Sequence, residues 1–189
     1  PVIISQSDAG NMGDWLYLGL YLQAYGLDVW MYDYRGFGQS DDFAIVQSQL
    51  FHTEFIQDLE AVAEHVYRKT GKSPALLGIS MGTIIVNEYL RVADIPVSKL
   101  VFDGYVPDPK AWNSRLVANG KKVTLPDGYK NRKYRQKYRD ILFIVSEKDA
   151  YSTLSDIPKP GKGKQVVKTF DCEHISGFFR YPEEYTTAV

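Results

Sequence analysis

An apolar stretch, Ala75 to Ile79, leads straight into the turn Gly78-Ile79-Ser80-Met81-Gly82, and Thr83 to Val92 then reads as a helix. G-x-S-x-G between a strand and a helix is a demanding arrangement. A serine on so sharp a turn needs a strained backbone. Glycines at 78 and 82 let strand and helix approach closely. The turn lifts the Ser80 hydroxyl over the carboxyl edge of a sheet, where the helix N-terminus offers N–H groups and partial positive charge. The competing interpretation is a glycine-bounded turn whose serine only caps the helix.

The rest of the chain supplies the sheet. Pro1–Ser5, Leu27–Tyr32, Lys99–Asp103, Ile141–Val145 and Gln165–Phe170 are strand-like, and most are continuous apolar runs. Helical segments separate them. One is opened by Asp14 as N-cap and closed by Gly26. Another carries Phe55, Leu59, Val62 and Val66 at helical spacing and stops at Gly71. The tail from Ile175 reads as helical. Residues 106–139 read as irregular, basic and aromatic, and Lys159–Lys164 as a low-complexity loop. Alternating strands and helices with apolar strands predict an α/β fold, a mostly parallel sheet with helices on both faces.

A serine hydroxyl needs a base at neutral pH. Of three histidines, His52 and His65 fall near or within a helix and read as surface or packing residues. His174 follows the last strand and can reach the same sheet edge as Ser80. An acid must hold the imidazole. Asp149, after the strand Ile141–Val145, gives the order Ser, Asp, His. Asp103, ending the preceding strand, is the rival acid, and Glu147 reads as solvated. Met81 reads as a pocket wall or core residue.

Other chemistries fit poorly. Gly36-Phe37-Gly38 is half a dinucleotide fingerprint, because residue 41 is Asp. Gly161-Lys162-Gly163-Lys164 lacks P-loop spacing. There is no H-E-x-x-H, and the single Cys172 allows neither an internal disulfide nor a cysteine-rich zinc site. No cofactor and no metal are expected. No apolar run approaches the roughly 18 residues of a membrane span.

With 189 residues, 44% of them hydrophobic, one domain spanning 1–189 is expected. The net charge of −1 hides a gradient: residues 1–60 hold nine acids and one base, residues 121–139 eight bases and one acid. Tyr129 to Arg139 interleaves bases with tyrosines. Nucleic acid could use such a surface, but a solvated helix with Tyr134 and Tyr138 packed at i, i+4 is preferred, so nucleic acid is not the expected partner. The chain begins at Pro1 inside a strand, without an initiator Met or a signal sequence, and is expected to be a fragment. A targeting segment could be missing from such a fragment, so the sequence leaves the location open, with the cytoplasm favoured, and it does not fix the oligomeric state.

Together the elbow Gly78–Gly82, Asp149 and His174 resemble the α/β-hydrolase family. Asp33-Tyr34-Arg35-Gly36-Phe37-Gly38-Gln39-Ser40 is similar to its D-x-R-G-x-G-x-S segment, and Asp58 and Ala61 sit where members often have Asp and Ala. The resemblance covers nearly the whole chain. It implies that Pro1–Ser5 is the family's third strand and that the leading hairpin strands are lacking, leaving Leu27–Tyr32 as an edge. It also implies a short basic lid at 106–139. Members usually carry His-Gly after that third strand; here Gln6-Ser7 stand there, followed by Asp8. The backbone N–H groups of Asp8 and Met81 are then the oxyanion-hole donors, with the Asp8 side chain turned away to cap the turn.

The implied function is a serine hydrolase cleaving an ester or other activated acyl bond through an acyl-enzyme, on a small-molecule or acyl substrate, anionic or apolar. Carboxylesterase, thioesterase and peptidase chemistry, and acyl transfer, stay open. Trp15, Trp30 and Trp112 are candidates for an acyl pocket or for core. The Gln6-Ser7 departure motivates the alternative, a non-catalytic binding or interaction module of the same fold.

Overall fold

The computed structural model describes residues 1–8, 10–131, 140–160 and 163–189. The apolar runs become β1 (Val2–Ser5), β2 (Val29–Met31), β3 (Ala75–Ile79), β4 (Leu100–Asp103), β5 (Asp140–Ser146) and β6 (Lys164–Phe170). They pair, all parallel, in the order β2-β1-β3-β4-β5-β6. The chain steps outward from β1 to β2, then returns to β3 on the other side. That reversal between β1 and β3 opens a crevice at their carboxyl ends, the usual ligand position in such sheets.

Alternation along the strands builds two cores. Ile3, Leu76, Leu100, Phe102, Ile141 and Phe143 pack on one face. Helices α2 (Phe55–Thr70), α3 (Met81–Tyr89) and α4 (Pro109–Ala118) supply Leu59, Ile84 and Trp112 to it. Val2, Ile4, Leu77, Ile79, Val101, Leu142 and Ile144 pack on the other. There they meet Leu18 and Leu22 of α1 (Leu16–Ala24), Phe178 of α5 (Gly177–Arg180) and Tyr185 of α6 (Pro182–Ala188). β2 and β6 are the edges. β6 departs from the apolar pattern expected of the strands: Val166 and Val167 are 42% and 40% exposed, so this strand is not covered on both faces.

Several boundaries differ from expectation. The first helical stretch opens as a 3-10 turn, Met12–Trp15, capped by Asn11 rather than by Asp14. Asp14 is instead the reciprocal partner in a capping box, accepting the Asn11 N–H at 3.0 Å. Within 106–139, expected to be irregular, α4 forms with Asp108 as N-cap and Pro109 at its first position. The run from Arg132 to Arg139, where a solvated helix with Tyr134 and Tyr138 packed at i, i+4 is expected rather than a nucleic-acid surface, lies outside the described residues, as do Gly161 and Lys162. Among the described residues, no helix is long and apolar enough to cross a membrane.

Candidate active site

Ser80 sits at the junction of β3 and α3 with φ +52° and ψ −115°, a conformation that L-residues rarely adopt. The glycines beside it explain how this is reached. A Cβ on Gly78 would lie 2.9 Å from the Gly82 carbonyl oxygen, and one on Gly82 only 1.9 Å from that of Ser5. The first turn of α3 therefore rests directly on the ends of β3 and β1. The Ser80 N–H donates to the Asp103 carbonyl at 2.8 Å, tying the turn to β4.

His174 arrives from the loop after β6. The residue after it, Ile175, also has a positive φ of +49°, so the backbone bends sharply there. Below the ring lies Gly104, φ +66°, where a Cβ would come within 2.8 Å of His174 Cε1. Only a glycine leaves room for the imidazole at this level. His174 Nε2 lies 2.8 Å from Ser80 Oγ, and Nδ1 lies 2.5 Å from Asp149 Oδ2. A carboxylate on Nδ1 fixes the proton on that nitrogen and leaves Nε2 free to accept from the hydroxyl.

Asp149 is itself held. Its Oδ1 accepts the N–H groups of Tyr151 (2.7 Å) and Ser152 (3.0 Å), and its side chain is fully buried. The Ser152 hydroxyl donates to the Gly104 carbonyl at 3.2 Å and accepts the Trp112 indole N–H at 3.0 Å. Tyr151 stands edge-on to the imidazole, ring centroids 5.6 Å apart, and Trp112 lies 6.3 Å from it. Of the three tryptophans, Trp112 borders the site. Trp15 is buried in the core on the α1 side, and Trp30 packs half-buried against His65.

The rival acid lies elsewhere. Asp103 is buried, and its Oδ2 accepts the Tyr185 O–H at 2.8 Å. Burial pushes its carboxyl up to about 6, against the opposing pull of the Tyr185 hydrogen bond and of positive charge on His174. His52 and His65 do not join the cluster. His52 Nε2 accepts the Val46 N–H at 3.3 Å, its ring packs between Phe43 and Phe55, and burial pushes it below the ordinary histidine range. Glu147 is exposed, and Met81 is a buried core residue.

At the end of β1, the Ser5 hydroxyl lies 2.8 Å from the Tyr32 hydroxyl and 3.0 Å from that of Tyr34, and Tyr34 O–H donates to the Gln6 carbonyl at 3.2 Å. The Gln6 amide is buried, and neither of its polar atoms has a partner among the described residues. Asp8 is exposed, and among the described residues the expected cap from its side chain to the turn is not seen. Asn11, Asp14 and Asp33 cap it instead, Asp33 by accepting the Met12 N–H at 2.7 Å. The segment 33–40 folds around that same Asp33, whose other oxygen accepts the Gln39 N–H at 3.2 Å. Arg35 pairs with Asp58, its Nε donating to Oδ1 at 2.8 Å. Ser152, Gly104 and Tyr185 escaped sequence reasoning. Each acts through a contact 48 or more residues away, or through a missing Cβ, and no local pattern marks such roles.

Solved structures share this fold. A hydrolase from Pseudomonas aeruginosa PA01 superposes with a TM-score of 0.71 at 17% identity, covering 99% of this chain and 87% of its own. A monoacylglycerol lipase from Paleococcus ferrophilus gives 0.67 at 14%, covering 99% and 91%. An esterase from Pyrococcus furiosus gives 0.64 at 15%, covering 98% and 79%. No curated protein matches. A family model described as serine aminopeptidase, S33, matches residues 9–126, from the turn after β1 through the nucleophile elbow and α4. The chain belongs to the serine aminopeptidase S33 family of α/β-hydrolases.

Proposed function

We propose that this chain is a serine hydrolase that cleaves an ester or similarly activated acyl bond, with Ser80 as nucleophile, His174 as base and Asp149 as the acid that orients it. The observation that carries this is the hydrogen-bonded series Ser80 Oγ–His174 Nε2–Asp149 Oδ2 at 2.8 and 2.5 Å, anchored on a serine of positive φ. Ser80 Oγ attacks the carbonyl carbon while its proton passes to Nε2. Asp149 stabilises the imidazolium so formed. The Met81 and Asp8 N–H groups, at the start of α3 and after β1, receive the developing oxyanion. The imidazolium then protonates the leaving group, and an acyl-enzyme remains. Water, deprotonated by His174, attacks the acyl carbon and releases Ser80.

An esterase and a monoacylglycerol lipase among the structural relatives support an ester substrate, while the family description keeps an aminoacyl amide as the competitor. The segment 106–139 acts as a short lid, with Trp112 of α4 forming a wall beside His174. The test pairs a fluorophosphonate probe with p-nitrophenyl esters and aminoacyl p-nitroanilides. Ser80 is expected to be labelled and the esters to turn over. Ser80→Ala is expected to abolish labelling and lower turnover by on the order of 10⁴-fold or more. A folded protein that the probe leaves unlabelled would reject the proposal.

A further inference from the structure

Ser152 is buried, and both its N–H and its hydroxyl are committed. The N–H donates to Asp149 Oδ1 at 3.0 Å, beside the Tyr151 N–H at 2.7 Å. Those two donors occupy one carboxylate oxygen and leave Oδ2 to His174 Nδ1 at 2.5 Å. The hydroxyl donates to the Gly104 carbonyl at 3.2 Å and accepts the Trp112 indole N–H at 3.0 Å. Gly104 is the floor under the imidazole, since a Cβ there would come within 2.8 Å of His174 Cε1. One serine therefore touches the acid, the floor beneath the base and the helix α4.

The turn from Asp149 to Ser152 is closed by local bonds to the Asp149 carboxylate, a geometry that an aspartate supports by itself. Such bonds do not fix where the turn stands relative to β4 or α4. The Ser152 hydroxyl does, with partners 48 and 40 residues away in sequence. The aim of Asp149 at Nδ1 and the level of the Gly104 floor are thus set by the same clamp. Helix α4 meets this loop a second time, where Arg115 holds Asp156 at 2.7 and 3.0 Å. Asp156, however, bonds back to Thr153, on the far side of Ser152 from the acid.

Resting on the roles proposed for Ser80, His174 and Asp149, we propose that Ser152 is a positioning residue for acyl transfer: its hydroxyl, clamped between the Gly104 carbonyl and the Trp112 indole, holds Asp149 on His174 Nδ1 in the geometry that the imidazolium needs. No bond forms or breaks at Ser152, and its proton stays on Oγ, directed at Gly104. Without the hydroxyl, the Gly104 carbonyl and the Trp112 indole N–H lose this buried partner. The loop then shifts, and the acid shifts with it. A misplacement of about 1 Å can cost on the order of 100-fold in rate. The loss falls on the step in which His174 becomes charged, so it appears in kcat rather than in KM.

Two measurements on the whole chain test this, each on Ser152→Ala and on Ser152→Cys. The cysteine fills nearly the same space with a weak donor and acceptor, so it serves if the alanine variant does not fold. The first measurement is the low-field proton resonance of His174 Nδ1–H, read without substrate and assigned by its loss in His174→Gln. It is expected to move upfield and broaden in both variants, as the bond to Asp149 loosens.

The second is steady-state kinetics. Ser152→Ala is expected to lower kcat on the order of tenfold while KM changes less than about threefold, with Ser152→Cys falling between it and wild type. A purely structural role lowers the melting temperature and leaves both readouts in place. An unmoved resonance, or an unchanged kcat, in a folded variant overturns the proposal. If Ser80-dependent turnover is absent from the wild type, the proposed function fails, and the resonance still decides whether Ser152 sets the bond between Asp149 and His174.

Discussion

Gly82 carries the sharpest steric demand near Ser80. Its added Cβ would meet backbone oxygens at 1.9 Å (Ser5) and 2.7 Å (Gln6), neither of which can rotate away. Gly82→Ala must therefore push α3 off β1 and displace Ser80. We expect a loss of about 3 kcal/mol in denaturant melts, together with loss of probe labelling. Asp103 makes the opposite kind of demand. Unfolded, its carboxyl has its ordinary value of 3.8; folded, it is pushed up to about 6. Between those values the folded state binds more protons than the unfolded state. The stabilisation is thus complete below the lower value and is lost as pH rises through the upper one. Asp103→Asn keeps the Tyr185 hydrogen bond and removes this slope. Chemical melts should show the variant gaining about 2 kcal/mol over wild type on going from about pH 4 to about pH 7.

At the level of elements, α4 decides how the site is walled. Arg115 on α4 grips Asp156 with two hydrogen bonds of 2.7 and 3.0 Å, while Trp112, one turn earlier, reaches Ser152. Arg115→Ala should cost roughly 1 kcal/mol, since the pair is partly exposed, and should raise KM more than it lowers kcat as the wall loosens. Steady-state kinetics with a thermal melt would check both. This helix also marks where local pattern fell short. Asp108-Pro109 is a good N-terminal signal, but Lys110, Asn113 and Ser114 dilute its apolar face, and only packing against the loop after β5 completes it. The strands β1, β3, β4 and β5 were legible because burial on both faces leaves nearly unbroken apolar runs. Ser80, Asp149 and His174 could be singled out because each follows a strand. What no spacing could supply was the direction of each side chain. Asp103 and Asp149 both end or follow strands, and only the contacts show that Asp149 bonds the imidazole while Asp103 bonds Tyr185 of α6.

Across the whole molecule, the parts of the site come from distant stretches of one sheet. Ser80 and His174 are 94 residues apart in sequence, and β4, β5 and β6 must pair in turn before their loops meet the elbow. Contacts so far apart in sequence are slow to form, because chain entropy is lost before they stabilise anything. During refolding, helical signal should therefore return before probe labelling does, and a stopped-flow comparison of the two would show labelling arriving in the last phase. Equal rates for both signals would contradict this order. Ser80 thus reports on the completeness of folding as well as on chemistry. A chain halted before Lys164 would keep a serine on its turn with no base to serve it. Such a chain should stay silent toward the probe however well its first five strands have paired.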